Sequence, residues 1–386
     1  MLDKAKEQIV RYITEIAKSK NEWSRYFGVV VSDKIAFVKY DKQRDEWILR
    51  GPYDIEKEVV VKFIEALRGL GRKALRVDTI LKDFGPQSEV ARRAIRALYN
   101  KLAGSKNPKT RALFEDWIRL FKQTTGYDPS KFKELPDLIS EYGLPKKVDA
   151  DALLFSIQTY YAFLMKLLAT EVMYIYGSGN FYKSYIAELD DAHTKGGANA
   201  FKEALKRLES GGIFRQLGYE NFLEGDYFSW YLDELDEELA KVLVEIVKKL
   251  GEYEPATPQL EPESARDLLK RLYQHLVPRE VRHGLGEYYT PDWLADLLLD
   301  EMGLGLRDLE SAGKEDPLRP LQIRVLDPAC GSGTFLVRYI ARLREYAEEH
   351  YLRDKLVDHL LKNVVGFDLN PLAVLAARTN YLLMVA

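Results

Sequence analysis

The chain has 386 residues, room for two or three domains of about 100 to 200 residues each, and its composition, 46% hydrophobic and 30% charged, is that of a folded protein. Lys and Arg number 57 against 60 Asp and Glu, a formal charge of −3, so no global basic excess marks a polyanion partner and a nucleic-acid reading must rest on local features. The single cysteine, Cys330, excludes an internal disulfide framework and a Cys-rich zinc site, and none of the five histidines pairs with another at the i, i+4 spacing of a helix-borne zinc site.

The start of the chain, Met1 to Glu7, is charged and lacks the apolar core of a secretory signal, which points to the cytoplasm. The first ~20 residues have the periodicity of an amphipathic helix. Three short strands are expected next, at Tyr26 to Val31, Ile35 to Tyr40 and Trp47 to Leu49, separated by Ser32-Asp33-Lys34 and the polar run Asp41 to Asp45. Together they predict a small α/β unit over residues 1–54.

A helical domain is predicted over residues 55–250, with helices at Ile55 to Leu70, Ser88 to Leu102, Thr110 to Gln123, Ala150 to Tyr176, Asn199 to Glu209 and Leu232 to Leu250. Its connectors carry glycine and proline, as at Gly104 to Pro108, Gly177 to Gly179 and Gly211-Gly212. The longest apolar stretch, Leu153 to Thr170, is interrupted by Ser156, Gln158, Thr159 and Lys166, which predicts a buried helix and no membrane span. Between Gly211 and Trp230, aromatics alternate with Gly, Asn and acids. That pattern reads either as a loop that stacks bases or as an irregular, well-packed one, and its acidity favours packing over a phosphate-facing surface. Residues 251–278 read as a linker and connecting helix, with prolines at 255, 258 and 262 marking the linker.

Residues 279–386 hold the chemistry. Leu321 to Leu336 reads as a short buried strand, then Asp327, then a small-residue turn through Pro328-Ala329-Cys330-Gly331-Ser332-Gly333, then a helix from Thr334 to His350. Strand, glycine loop and helix form a nucleotide-binding opening, in which glycine lets the main chain approach a ligand. The third glycine of the dinucleotide fingerprint is missing, and no Gly-Lys-Ser/Thr follows as in a P-loop. A second strand, Asn363 to Phe367, ends in Asp368-Leu369-Asn370-Pro371, an acid placed to accept hydrogen bonds from a ribose diol. Upstream, Tyr288-Tyr289-Thr290-Pro291 precedes a helix at Trp293 to Met302, with Thr290 at the expected N-cap and Pro291 in the first turn. Blander readings stand beside these: Asp327 as a turn cap, Asp368 as the cap of the helix from Pro371, the tyrosines as core aromatics, and Cys330 as a small, partly buried residue.

Together, Tyr-Tyr-Thr-Pro, Asp-Pro-Ala-Cys-Gly-Ser-Gly-Thr-Phe-Leu and Gly-Phe-Asp-Leu-Asn-Pro resemble the motifs of the adenine-N6 (amino) DNA methyltransferases, in the order of the gamma arrangement. The resemblance implies an α/β chain in which a mainly helical N-terminal region leads into the start of a Rossmann-like domain binding S-adenosylmethionine. It implies cofactor contacts from Tyr289, Thr290, Pro291, Asp327, Ala329, Gly331, Gly333, Asp368 and Leu369, and no metal. It also implies double-stranded DNA as partner, in a restriction-modification or phage-defence system. The family's catalytic Asn/Asp-Pro-Pro-Tyr/Phe is not in this sequence, which has no Pro-Pro step, and the Asn-Pro steps at Asn107 and Asn370 continue into Lys-Thr and Leu-Ala.

No catalytic residue is therefore expected here. The sequence stops at Ala386 inside an apolar helix, and by the family's pattern it is expected to be the front part of a larger enzyme. A C-terminal polypeptide is expected to carry the catalytic motif and the target-recognition domain. The alternative is an inactive DNA- or protein-binding subunit with a structural donor pocket; methylation of RNA or of protein glutamine is a third reading. Residues 1–54 also resemble, more weakly, the last strands of a nuclease domain, without a convincing Glu-x-Lys metal site. The basic run Lys270, Arg271, His275, Arg279, Arg282 and His283 reads either as a phosphate contact or as a solvated helix face.

Overall fold

A computed structural model describes residues 2–20, 27–32, 34–41, 46–56, 72–125, 135–145, 147–177, 184–216, 218–220, 222, 226–254 and 290–385. The predicted helix at Ile55 to Leu70, most of the linker and connecting helix at 251–278, the connector at Gly177 to Gly179, the basic run from Lys270 to His283, and Tyr288 and Tyr289 lie wholly or mainly outside them. The chain is mostly helical with small sheets and divides into two units, Met1–Ala74 with Glu252–Thr257, and Leu75–Gly251 with Pro258–Ala386.

In the first unit, α1 (Leu2–Lys20) packs on an antiparallel sheet of β1 (Phe27–Val31), β2 (Lys34–Asp41) and β3 (Glu46–Asp54), in the order β1-β2-β3. A Cβ at Gly28 would lie 1.9 Å from Ile9 Cγ2, so glycine is what allows the helix to approach the first strand. The third strand is longer than the three residues expected. A bulge between Ile35 and Phe37, with Gly51 opposite at φ +108, absorbs the irregularity and lets pairing resume at Ile35–Tyr53. Two residues of β4 (Lys73–Ala74) pair in parallel with β5 (Tyr253–Glu254).

The second unit is built around a helix buried on every side. Its elements before that helix are α2 (Val77–Phe84), α3 (Glu89–Gly104), α4 (Pro108–Thr125) and α5 (Leu135–Glu141). The central helix is α6 (Ala150–Gly177), followed by α7 (Tyr185–Glu209), α8 (Gly212–Gln216), a 3-10 turn (Tyr227–Leu232) and α9 (Glu237–Leu250). Helix α6 is long and apolar enough to cross a membrane, yet its most apolar stretch is buried entirely inside the protein. Several of its polar residues have internal partners: Ser156 and Thr159 donate to Ala152 O and Phe155 O, and Gln158 Oε1 accepts from Trp117 Nε1 at 3.0 Å. Lys166 is ion-paired with Glu209 and Asp226 at 1% exposure. Phe155 anchors an aromatic cluster, with Trp117 at 4.9 Å and Trp230 at 6.0 Å between ring centres.

Within the Gly211 to Trp230 stretch, Phe214, Phe228 and Trp230 are fully buried and Trp230 Nε1 donates to Thr159 Oγ1, so these aromatics face the core. Two helix boundaries differ from the sequence reading, each for a local reason. The helix expected from Asn199 begins at Tyr185, because Ser184 caps it and the chain kinks at Gly197 (φ +62) instead of starting there. The helix expected from Leu232 begins at Glu237, because Leu232 closes the preceding 3-10 turn, which Asp233 caps, and Asp236 Oδ1 accepts the Leu239 N–H at the new helix start.

The last part comprises α10 (Asp292–Glu301), α11 (Leu306–Ala312), a 3-10 turn (Arg319–Gln322), β6 (Val325–Asp327), α12 (Thr334–Glu349), α13 (Arg353–Asn363), β7 (Val364–Gly366) and α14 (Pro371–Val385). Strands β6 and β7 are parallel, with Val325 opposite Val364 and Asp327 opposite Gly366, and among the described residues they pair only with each other. The sequence suggested that β6 is buried, but only Val325 packs on the core formed by α12 and α13; Leu326 is 58% exposed, since no described element covers that face.

Candidate functional site

The two parallel strands end side by side, and their ends are joined through the main chain. Phe367 N–H donates to Asp327 O at 2.9 Å, and Cys330 N–H donates to Phe367 O at 2.8 Å. The glycine loop leaving β6 is thus fastened to the chain leaving β7. Gly366 makes that closeness possible, since a Cβ there would lie 2.6 Å from Leu336 Cδ1 and 3.0 Å from Cys330 Cβ.

Two carboxylates stand at these tips. Asp368 Oδ2 accepts the Gly331 N–H at 2.8 Å and its Oδ1 the Asn370 N–H at 2.8 Å. Asp327 Oδ1 accepts the Ala329 N–H at 3.2 Å, while its Oδ2 is buried without a hydrogen-bond partner. Burial, with the Asp368 charge adding to it, pushes the Asp327 carboxyl above its ordinary value, partly opposed by the Ala329 N–H. An unpartnered buried oxygen beside a second carboxylate favours a donor or cationic ligand, which would satisfy the oxygen and relieve the repulsion.

The two glycines of the loop differ in role. Gly331 has φ +54 and open space where a side chain would be, so a ligand can approach its main chain from that side while its N–H stays on Asp368. A Cβ at Gly333, φ +86, would lie 3.4 Å from Ala377 Cα and Cβ, so the glycine lets the start of α12 come close to α14. Ala329 is exposed and Leu369 is 66% exposed, beside the two carboxylates in sequence. Cys330 is buried, and burial followed by the Asp368 and Asp327 charges pushes its thiol up to about 12.

Thr290 is not the N-cap of α10. Pro291 takes that position in an extended conformation, with its carbonyl accepting from Leu294 and Ala295, and no side chain caps the helix. Helix α10 is fastened to α12 by Arg338, which grips Asp296 through two bonds of 2.8 and 2.5 Å, and by Arg342, which reaches Asp296 and the Leu304 carbonyl. Tyr289 lies outside the described residues.

Two asparagines escaped the sequence reading. Asn370, not Asp368, caps α14, its Oδ1 accepting from Leu372 at 2.9 Å and Ala373 at 3.4 Å; an Asn before a Pro was a legible signal for it. Asn380 Nδ2 donates to the Ser332 carbonyl in the glycine loop at 2.9 Å. Its only sequence signal was a lone amide within an apolar helix.

Residues 264–385 match the family model for N-6 DNA methylase, less than a third of the chain, and this supports placing that part among the adenine-N6 DNA methyltransferases. No curated protein and no solved structure matches the chain.

Proposed function

We propose that residues 279–386 form the start of a Rossmann-like donor domain that binds S-adenosylmethionine for a site-specific adenine-N6 DNA methyltransferase of a restriction-modification or phage-defence system. The family match and the three motifs support this, and the observation that carries it is the pairing of Asp327's unpartnered buried oxygen with the open main chain at Gly331. The donor brings a methyl group on a positively charged sulfur and an amino acid end whose ammonium group stands beside its carboxylate. Asp327 is assigned to the amino acid end, where a cation offsets the repulsion that raises its carboxyl. Asp368 braces Gly331 and is assigned to the ribose hydroxyls, and Thr290, Pro291, Ala329 and Leu369 are assigned to the border of the site. The protein's contribution is positioning and charge complementarity.

Double-stranded DNA is the proposed substrate. A polypeptide outside these 386 residues is proposed to bring the Asn/Asp-Pro-Pro-Tyr/Phe motif and target recognition. The exposed apolar side chains on the two-stranded sheet support such a partner: Leu326 (58%) faces the same side as Val365, and Phe367 (62%) continues it. Absence of the catalytic motif from the sequence favours a second reading, an inactive DNA- or protein-binding subunit whose donor pocket is structural.

Calorimetric titration of S-adenosylmethionine into the chain, beside an Asp327→Ala variant, tests the proposal. Saturable binding lost on substitution supports it. A folded chain that binds no donor overturns it. Methyl transfer to DNA on adding the partner, or its absence, then separates the enzyme from the inactive subunit.

A further inference from the structure

The glycine loop is held from two sides. From β7 it is held by Asp368 on Gly331 and by the Phe367 carbonyl on the Cys330 N–H. From α14 it is held by Ala377 against Gly333 and by Asn380 on the Ser332 carbonyl, with Ala377 and Asn380 one helical turn apart on one face. Asn380 is 4% exposed and Ser332 8%, so water does not readily replace this bond. Resting on the donor-binding reading above, we propose that Asn380 is a positioning residue for the methyl-donor site: its amide fixes the Ser332 peptide, and through it the main chain of Gly331 beside Asp327.

The physical case is one of alternatives. A loop of small residues with two glycines at positive φ has many conformations open to it, and each must be excluded for the bare main chain at Gly331 to face a ligand. On the α14 side the Asn380 bond is the directional one among the described residues, whereas Ala377 lies against Gly333 as an apolar neighbour. Removing the amide leaves a buried carbonyl without its donor, and the loop then rotates to find another.

The test compares the full chain with Asn380→Leu, similar in volume but without a donor group. Three quantities are read: donor affinity by calorimetry, thermal unfolding, and amide hydrogen exchange over residues 328–336 and over α6. We expect donor affinity to fall about 10- to 100-fold, with exchange accelerated in the loop while α6 is unchanged. Unchanged affinity and loop exchange, with the wild-type chain binding donor, overturn the inference and leave the donor reading standing. Exchange that rises equally in the loop and α6 overturns it too, since Asn380 would then support the fold at large. A wild-type chain that binds no donor overturns the donor reading, and the inference falls with it. If Asn380→Leu does not fold, Asn380→Ser, too short to reach the carbonyl, is read in the same way.

Discussion

Asp368 Oδ2 accepts the Gly331 N–H at 2.8 Å across 37 residues of sequence, so the acid at the end of β7 sets the conformation of the glycine loop that follows β6. Asp368 is therefore both a candidate ligand and a brace. Substituting it tests both roles at once, which is why Asp327, whose Oδ2 serves no internal partner, is the cleaner probe of donor binding.

The glycines of this region can be told apart by substitution. Gly331→Ala is expected to cost about 1–2 kcal/mol, from the left-handed φ alone, because a Cβ there meets nothing within 4 Å. Gly366→Ala is expected to cost about 1–3 kcal/mol for a different reason, since its Cβ would enter the space of Leu336 and Cys330. Urea denaturation measures both. Only Gly331→Ala is expected to weaken donor binding by more than its effect on stability.

Asp327 predicts a pH dependence of definite sign. Its carboxyl is raised in the folded protein by burial and by Asp368, so between the ordinary aspartate value of about 4 and the raised value the folded chain binds more protons than the unfolded one. Its contribution to stability is therefore lost as pH rises through that window. Asp327→Asn is expected to remove this slope, gaining stability relative to wild type toward neutral pH while losing donor affinity. Thermal unfolding across pH, with wild type and variant side by side, is the measurement.

Cys330 is expected to be nearly inert. With its thiol pushed up to about 12, little thiolate forms at pH 8, and at 7% exposure reagents reach it poorly. Alkylation of the native chain is expected to be roughly three orders of magnitude slower than in denaturant. A native rate within tenfold of the denatured one would show an open loop.

Lys166 is expected to be essential to stability. Burial pulls its pKa down, but Asp226 and Glu209 more than offset this and keep it charged, while burial pushes Glu209 up. Lys166→Met would leave two carboxylates without their cation and is expected to cost about 3–5 kcal/mol. Adding Glu209→Gln is expected to recover part of that loss, as read by a denaturation cycle over the two sites.

The sequence made α1, β1, β2 and α6 legible because each carries its own periodic pattern, and α6 in particular because few surface helices are apolar all round. Asp327, Gly331 and Asp368 were legible as motif positions. Their internal bonds were not, because Asp368 to Gly331 spans 37 residues and Asn380 to Ser332 spans 48, distances over which local patterning says nothing. The extra residues of β3 and the start of α9 depended on a bulge and a cap chosen by tertiary context. The apolar run of β6 by itself reads as a strand covered on both sides, and the exposure of Leu326 follows from its pairing with β7 alone among the described residues.

Helix α14 packs against α6 on one flank and against the glycine loop on the other. The part of the chain matching the methylase family is therefore not a module that can be lifted out: cut free of the helical region, it would bare the flank of α14 that rests on α6, and a graft onto another protein would need to carry α6 or a substitute for it.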